Sequence, residues 1–190
     1  MKRQIINIWS LIDPFYLKCT RLQCLEQIIG KYNIFRIRLT RYKGREVVLS
    51  DGTVIQKNDL LVKIHLHNVR VLKEMDSMDG KLKILFLYKA AYYSMPALAL
   101  YVLQHEQRDH IKGIIGITMI EKGYDRLGFE SFTFSSSMYT LFKRISLYPI
   151  HLLANSKSSS KRKKTPVPRY LFMSKDSLSN KYGSLHRNIA

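Results

Sequence analysis

The longest apolar run in the chain, Ile84–Leu103, is the feature that most limits what this sequence can fold into. A stretch of about 20 apolar residues can cross a bilayer as a helix or fill the centre of a globular domain. Three residues favour the second use. Lys89 and Ser94 are polar, and Pro96 removes a helical N–H and pushes Met95 away from helical geometry. The run therefore predicts two shorter helices, Lys81–Tyr93 and Pro96–Glu106, buried as a helical hairpin or a kinked helix. Contact of 84–103 with a membrane stays open at this level.

Around this run the hydrophobic period changes repeatedly. Residues 4–29 read as helix, kinked near Pro14 and ended by Gly30. From Ile34 the period is two: Arg36, Arg38 and Thr40 alternate with Phe35, Ile37 and Leu39, which gives a strand with one basic face. Arg45–Leu49, Thr53–Ile55 and Leu60–Leu66 continue as strands. Turn residues Ser50-Asp51-Gly52 and Lys57-Asn58-Asp59 separate them, so residues 33–67 form a small antiparallel unit. Val69–Met75 reads as a short helix, Ile111–Ile120 and Gly128–Phe134 as strands, and Tyr124–Leu127 as a turn or short helix. Ser135–Ser137 starts a helix over Met138–Leu153. Arg169–Met173 is strand-like, and Ser174 caps a last helix running to Tyr182 and Gly183.

The fold class is α+β: N-terminal helices, a small antiparallel strand unit, a central helical hairpin, and a mixed sheet completed by the C-terminal strand and helix. The expected organisation is an N-terminal helical segment 1–32, an α+β core 33–155, a basic flexible linker 156–166, and a strand–helix unit 167–190 belonging to the same domain. With 190 residues, 46% of them hydrophobic, the chain can bury a core without staples.

Charge is the second constraint. The net charge is +18, and it is unevenly placed. Residues 1–48 hold ten basic and three acidic side chains, residues 49–156 thirteen and ten, and residues 157–190 nine and one. A nearly balanced body thus carries cationic ends, and such a field attracts polyanions without choosing between nucleic acid, anionic lipid and acidic glycan. Lys161, Arg162, Lys163 and Lys164, next to a helix bearing Lys143 and Arg144, form the candidate polyanion-binding set. The competing reading of the tail run is a solvated linker.

Little in the sequence marks a reaction. His65 and His67 lie two apart on a strand, so they share a face, and with Asn68 they form a candidate functional cluster. A metal would need a third ligand, and hydrogen-bonded strand histidines are the favoured account. No catalytic residue, cofactor or metal is assigned: no Gly-rich phosphate loop, nucleophile elbow or zinc spacing is present. Gly113 and Gly116 lie within a strand pattern, where backbones approach closely. Cys19 and Cys24 are the only cysteines, and five residues apart in a helical pattern they would not bridge readily. Free thiols and the lack of a signal-type cleavage site point to the cytoplasm, with peripheral membrane contact through the N-terminal Trp9 region open.

Three blocks carry a family resemblance. The first is Asp51-Gly-Thr-Val-Ile-Gln-Lys-Asn-Asp-Leu-Leu-Val-Lys-Ile-His-Leu-His-Asn68. The second joins Gly116-Ile-Thr-Met-Ile120 to Arg126-Leu-Gly-Phe-Glu130, and the third is Pro168-Arg-Tyr-Leu-Phe-Met-Ser174 running on to Lys181-Tyr-Gly183. Together they resemble the YkoP-like domain of bacilli and related bacteria over roughly residues 33–183. In that family the domain also occurs joined to polysaccharide deacetylases, which implies a role around cell-envelope polysaccharide. The deacetylase's metal-binding Asp and His motifs are absent from this sequence, so its chemistry does not carry over.

The sequence thus points to a non-catalytic accessory or binding domain for an anionic partner, a membrane surface or acidic glycan rather than nucleic acid, in envelope polysaccharide metabolism. Two alternatives stand beside it. A small transferase is suggested by Arg126-Leu-Gly-Phe129, superficially similar to the end of GNAT acetyltransferases, although their pyrophosphate-binding loop is not visible. A nucleic-acid-binding protein fits the charge but no motif.

Overall fold

The computed structural model describes residues 11, 13–15, 17–25, 33–76, 78–120, 122–134, 137–141, 143, 144 and 166–184. Eight strands are labelled in chain order: β1 Gln23–Cys24, β2 Phe35–Arg41, β3 Val47–Val48, β4 Val54–Ile55, β5 Leu60–Leu66, β6 Ile111–Thr118, β7 Glu130–Phe132 and β8 Arg169–Ser174. Three helices are labelled likewise: α1 Asn68–Glu74, α2 Gly80–Gln104 and α3 Lys175–Tyr182. A six-stranded sheet has the order β1-β2-β5-β6-β8-β7, and β3 and β4 form a separate hairpin. Among the described residues only the β5–β6 pair is parallel, and α1 and α2 supply the crossover that a parallel pair needs. The fold is α+β with a mixed sheet.

Strand alternation assigns the two sheet faces. Phe35, Ile37 and Leu39 of β2, Val62, Ile64 and Leu66 of β5, Ile114 of β6 and Leu171 and Met173 of β8 pack with α2 and α3 in the main core. The other face carries a smaller cluster, in which Leu61, Ile115 and Phe172 of the sheet meet Tyr42, Leu49 and Ile55 at the β3–β4 hairpin. Gly113 sits where β6 crosses β8 most closely, since a Cβ there would run into the Met173 carbonyl.

Three expectations are corrected. The two helices expected over 81–106 are one helix of 25 residues with Pro96 inside it. An interior proline costs roughly 3 kcal/mol, whereas each fully buried large apolar side chain returns about 1.5–3 kcal/mol. Met95, Leu98, Ala99 and Val102 are 0–1% exposed on the sheet, so packing wins. Ser94, buried in the same helix, accepts the Ile34 N–H at 3.0 Å and donates to the Ala90 carbonyl at 2.8 Å.

The expected helix over 4–29 is helical at residues 11, 13–15 and 17–20, then turns at Arg21, whose φ is 52°, into β1. Gln23 and Cys24 pair with Ile37 and Arg36, a non-local partnership that helical periodicity does not reveal. Third, residues 33–67 are split: β2 and β5 join the main sheet, while β3 and β4 stand apart. Residues 4–10, 26–30, 145–153 and the linker 156–165 lie outside the described residues. Among the described residues no helix is long and apolar enough to cross a membrane.

A cationic sheet face as the candidate functional site

The sheet face opposite α2 and α3 is not apolar throughout. The parity that buries Ile37 and Ile64 sends Arg36, Arg38, Lys63 and His65 to the other side. The antiparallel register then sets Arg36 opposite His65 and Arg38 opposite Lys63. Four basic side chains are thus gathered on two neighbouring strands. Residues 137–141, 143 and 144 are helical, and Lys143 in this segment adds a further positive charge acting on Lys63 and His65.

The four diverge in their partners. Arg36, only 5% exposed, forms a two-pronged ion pair with Asp13, with Nη1 donating to Oδ1 at 2.7 Å and Nη2 to Oδ2. Its Nη2 also lies 2.7 Å from His67 Nε2, which must accept because arginine has only donors. Burial and the Arg36 charge push the His67 imidazole below its ordinary value, against the pull of Asp13. Arg36 therefore fastens the N-terminal helical residues and the start of α1 to the sheet. That is a structural role.

Among the described residues Arg38, Lys63 and His65 have no such counter-ion. Burial first, then the charges of Lys143 and Arg38, bring the Lys63 amine down to about 8. Burial, then Lys63, Arg38 and Lys143, bring the His65 imidazole down to about 4. Arg38 Nη1 donates to the Thr20 carbonyl at 3.1 Å, but among the described residues Arg38 Nε and His65 Nε2, like Arg36 Nε, are buried without a hydrogen-bond partner. Buried polar atoms without partners are uncommon and call for an explanation. Arg38 also lines a depression of about 360 Å³ at the outer edge of β2, with Arg21, Gln23, Thr40, Tyr101 and His105.

The sequence candidates are divided by this geometry. His65 and Lys143 belong to the cationic face. His67 is drawn away to Arg36 and Asp13, and Asn68 is the first residue of α1. Arg144 is helical and half-buried beside Lys143. Lys161, Arg162, Lys163 and Lys164 lie outside the described residues. Among the described residues no three or more His, Cys, Asp or Glu side chains come together; the charged neighbours of His65 are cations, which oppose a metal ion as they favour an anion. Cys19 and Cys24 are free and exposed. Arg38 and Lys63 were not among the candidates. Arg38 carried the signal of a basic strand face, but Lys63 becomes its neighbour only through the pairing of β2 with β5.

A second cluster explains the three sequence blocks. Asp51 Oδ2 accepts hydrogen bonds from Ser174 Oγ and, at 2.9 Å, Ser177 Oγ, while Oδ1 accepts the Thr53 N–H at 2.9 Å. Burial opposes this charge, yet the hydrogen bonds from Ser174, Thr53 and Ser177 overcome it and hold the carboxyl at about 2. Ser50 donates its N–H and hydroxyl to Glu130. The blocks thus converge where the β3–β4 turn docks on β7 and the start of α3. Gly128, with φ 94°, makes the tight turn that lets Leu127 and Phe129 both enter the core. Arg126-Leu-Gly-Phe129 is a packing turn here.

Comparison with known proteins fits this assignment of blocks to fold. The model of the YkoP domain matches residues 2–182. The chain belongs to the YkoP family. A Bacillus subtilis (strain 168) relative, described as uncharacterized protein YkoP, is 45% identical over 183 residues, spanning 96% of this chain and 98% of the relative. The family match starts well before residue 33, so the segment containing Asp13 is within it. No solved structure matches.

Proposed function

We propose that this YkoP-family protein is a non-catalytic binding module that engages an anionic partner through the sheet face bearing Arg38, Lys63, His65 and Lys143. The observation that carries the reading is the gathering of these side chains in a half-buried position where, among the described residues, the charges acting on Lys63 and His65 are all positive. Such an arrangement is electrostatically costly when empty, and an anion offsets the cost. The paired, self-satisfied polar groups around Asp51 and Glu130 offer no comparable demand for a ligand.

An acidic glycan is the favoured partner, followed by an anionic membrane surface. A role in envelope polysaccharide metabolism is part of the proposal and rests on what the family resemblance implies. The test is binding to an acidic glycan, to phosphatidylglycerol vesicles and to single-stranded DNA at graded salt. Binding at low salt that weakens as salt rises, strongest for the glycan and at least about tenfold weaker in Lys63→Gln, supports the reading. Absence of binding to all three at low salt overturns it.

A further inference from the structure

We propose that Arg38, Lys63 and His65 form the seat of one compact tetrahedral oxyanion, a phosphate or sulfate group, on the sheet face opposite the helices. The inference rests on the anion-binding reading above and narrows it to a single group held in one place.

Geometry carries the narrowing. Arg38 and Lys63 are directly opposite across an antiparallel pair, which sets their Cβ atoms about 4.5–5.5 Å apart. His65 is the next residue of the same parity on β5, about 7–8 Å away on the diagonal. Long basic side chains leaving that triangle on one face have the length to meet at one anion, with hydrogen bonds of about 2.7–2.9 Å. A glycan would then be held at one charged group rather than tracked along a stripe of cations. Here β6 and β8 continue the face with Ile115 and Phe172, which are apolar and buried.

The donors are also in place. The Arg38 bond to the Thr20 carbonyl fixes its guanidinium while Nε stays buried and, among the described residues, unpartnered, and His65 Nε2 is in the same condition. An oxyanion supplies the missing acceptors for both. The charged and titratable groups facing His65 are Arg36 and Arg38 from β2, Lys63 from β5 and Lys143 from the helical segment. With the seat empty, burial first and then the charges of Lys63, Arg38 and Lys143 keep the imidazole neutral down to about pH 4. An anion offsets the part of that depression due to the neighbouring cations, so binding takes up a proton on His65 and tightens as pH falls towards 4.

The experiment follows the His65 ring proton by NMR from pH 3.5 to 7.5 in chloride and in sulfate of equal ionic strength, since sulfate keeps its charge throughout. The expected result is a saturable sulfate-dependent rise of the His65 midpoint by at least one pH unit, with sulfate affinity at least about tenfold weaker in Lys63→Met. That variant removes a charge from a crowded cationic position and keeps the hydrophobic stem; Arg38→Gln is the second test of the seat. Glucose 1-phosphate binding more tightly than inorganic phosphate would assign the group to a phosphorylated metabolite, and equal binding to the free ion; both outcomes support the seat. A His65 midpoint indifferent to sulfate, with glycan binding retained, overturns the seat but leaves the anion-binding function standing. Loss of both overturns both.

Discussion

Arg36 and Arg38 leave the same face of one strand, and their partners differ. Arg36 is neutralised by Asp13 and is part of the scaffold. Arg38 meets Lys63 instead, and like charges directly opposite on paired strands destabilise. Lys63 should therefore act against the fold. Its folded-state value of about 8 lies below the ordinary 10.5, so between these values the unfolded chain binds more protons and stability rises with pH. Lys63→Met is expected to raise the urea midpoint at pH 7, with the gain shrinking as pH climbs from about 8 towards 10.5. A lower midpoint at pH 7 would mean that the amine stabilises the empty face. The basic parity of β2 was legible from alternation alone, whereas the cluster was not, because register is fixed by contacts distant in sequence.

At the scale of elements, local signals read well and non-local ones did not. β5 was expected at Leu60–Leu66 and is found there, because alternation and bounding turns are both local. The last helix starts at Ser174, whose hydroxyl accepts the Ser177 N–H at 2.9 Å, as its capping chemistry predicts. The Pro96 helix was misread because a single backbone penalty was weighed without the sheet beneath it. β1 escaped notice because its two residues have meaning only against β2. The Asp51 tether likewise joins residues more than 120 positions apart, and only the resemblance pointed to them together. Its carboxyl lies at about 2 against an ordinary 3.8, so the unfolded chain takes up the proton first as pH falls. The tether's contribution is present above 3.8 and lost through about 2. Asp51→Asn should lower stability at pH 7 and flatten the acid limb of the unfolding profile over that interval. An acid limb as steep as wild type would show that Asp51 does not control it.

Across the whole molecule, a net charge of +18 poses the question of where a partner meets the protein. Composition drew attention to the cationic run Lys161–Lys164, because packed lysines are conspicuous in a sequence. The proposal turns instead to three side chains separated along the chain and crowded by strand pairing. Half-buried cations with unpartnered donors act at lower dielectric and are less screened by salt than fully solvated ones. The most direct measurement is calorimetric titration of an acidic glycan at low salt into wild type, an Arg38→Gln/Lys63→Gln double variant, and a variant with Lys161, Arg162, Lys163 and Lys164 all changed to Gln. The sheet-face account predicts that the double variant loses at least about a hundredfold in affinity, while the tail variant loses less although it removes more charge. Full binding by the double variant, with binding abolished in the tail variant, would contradict it.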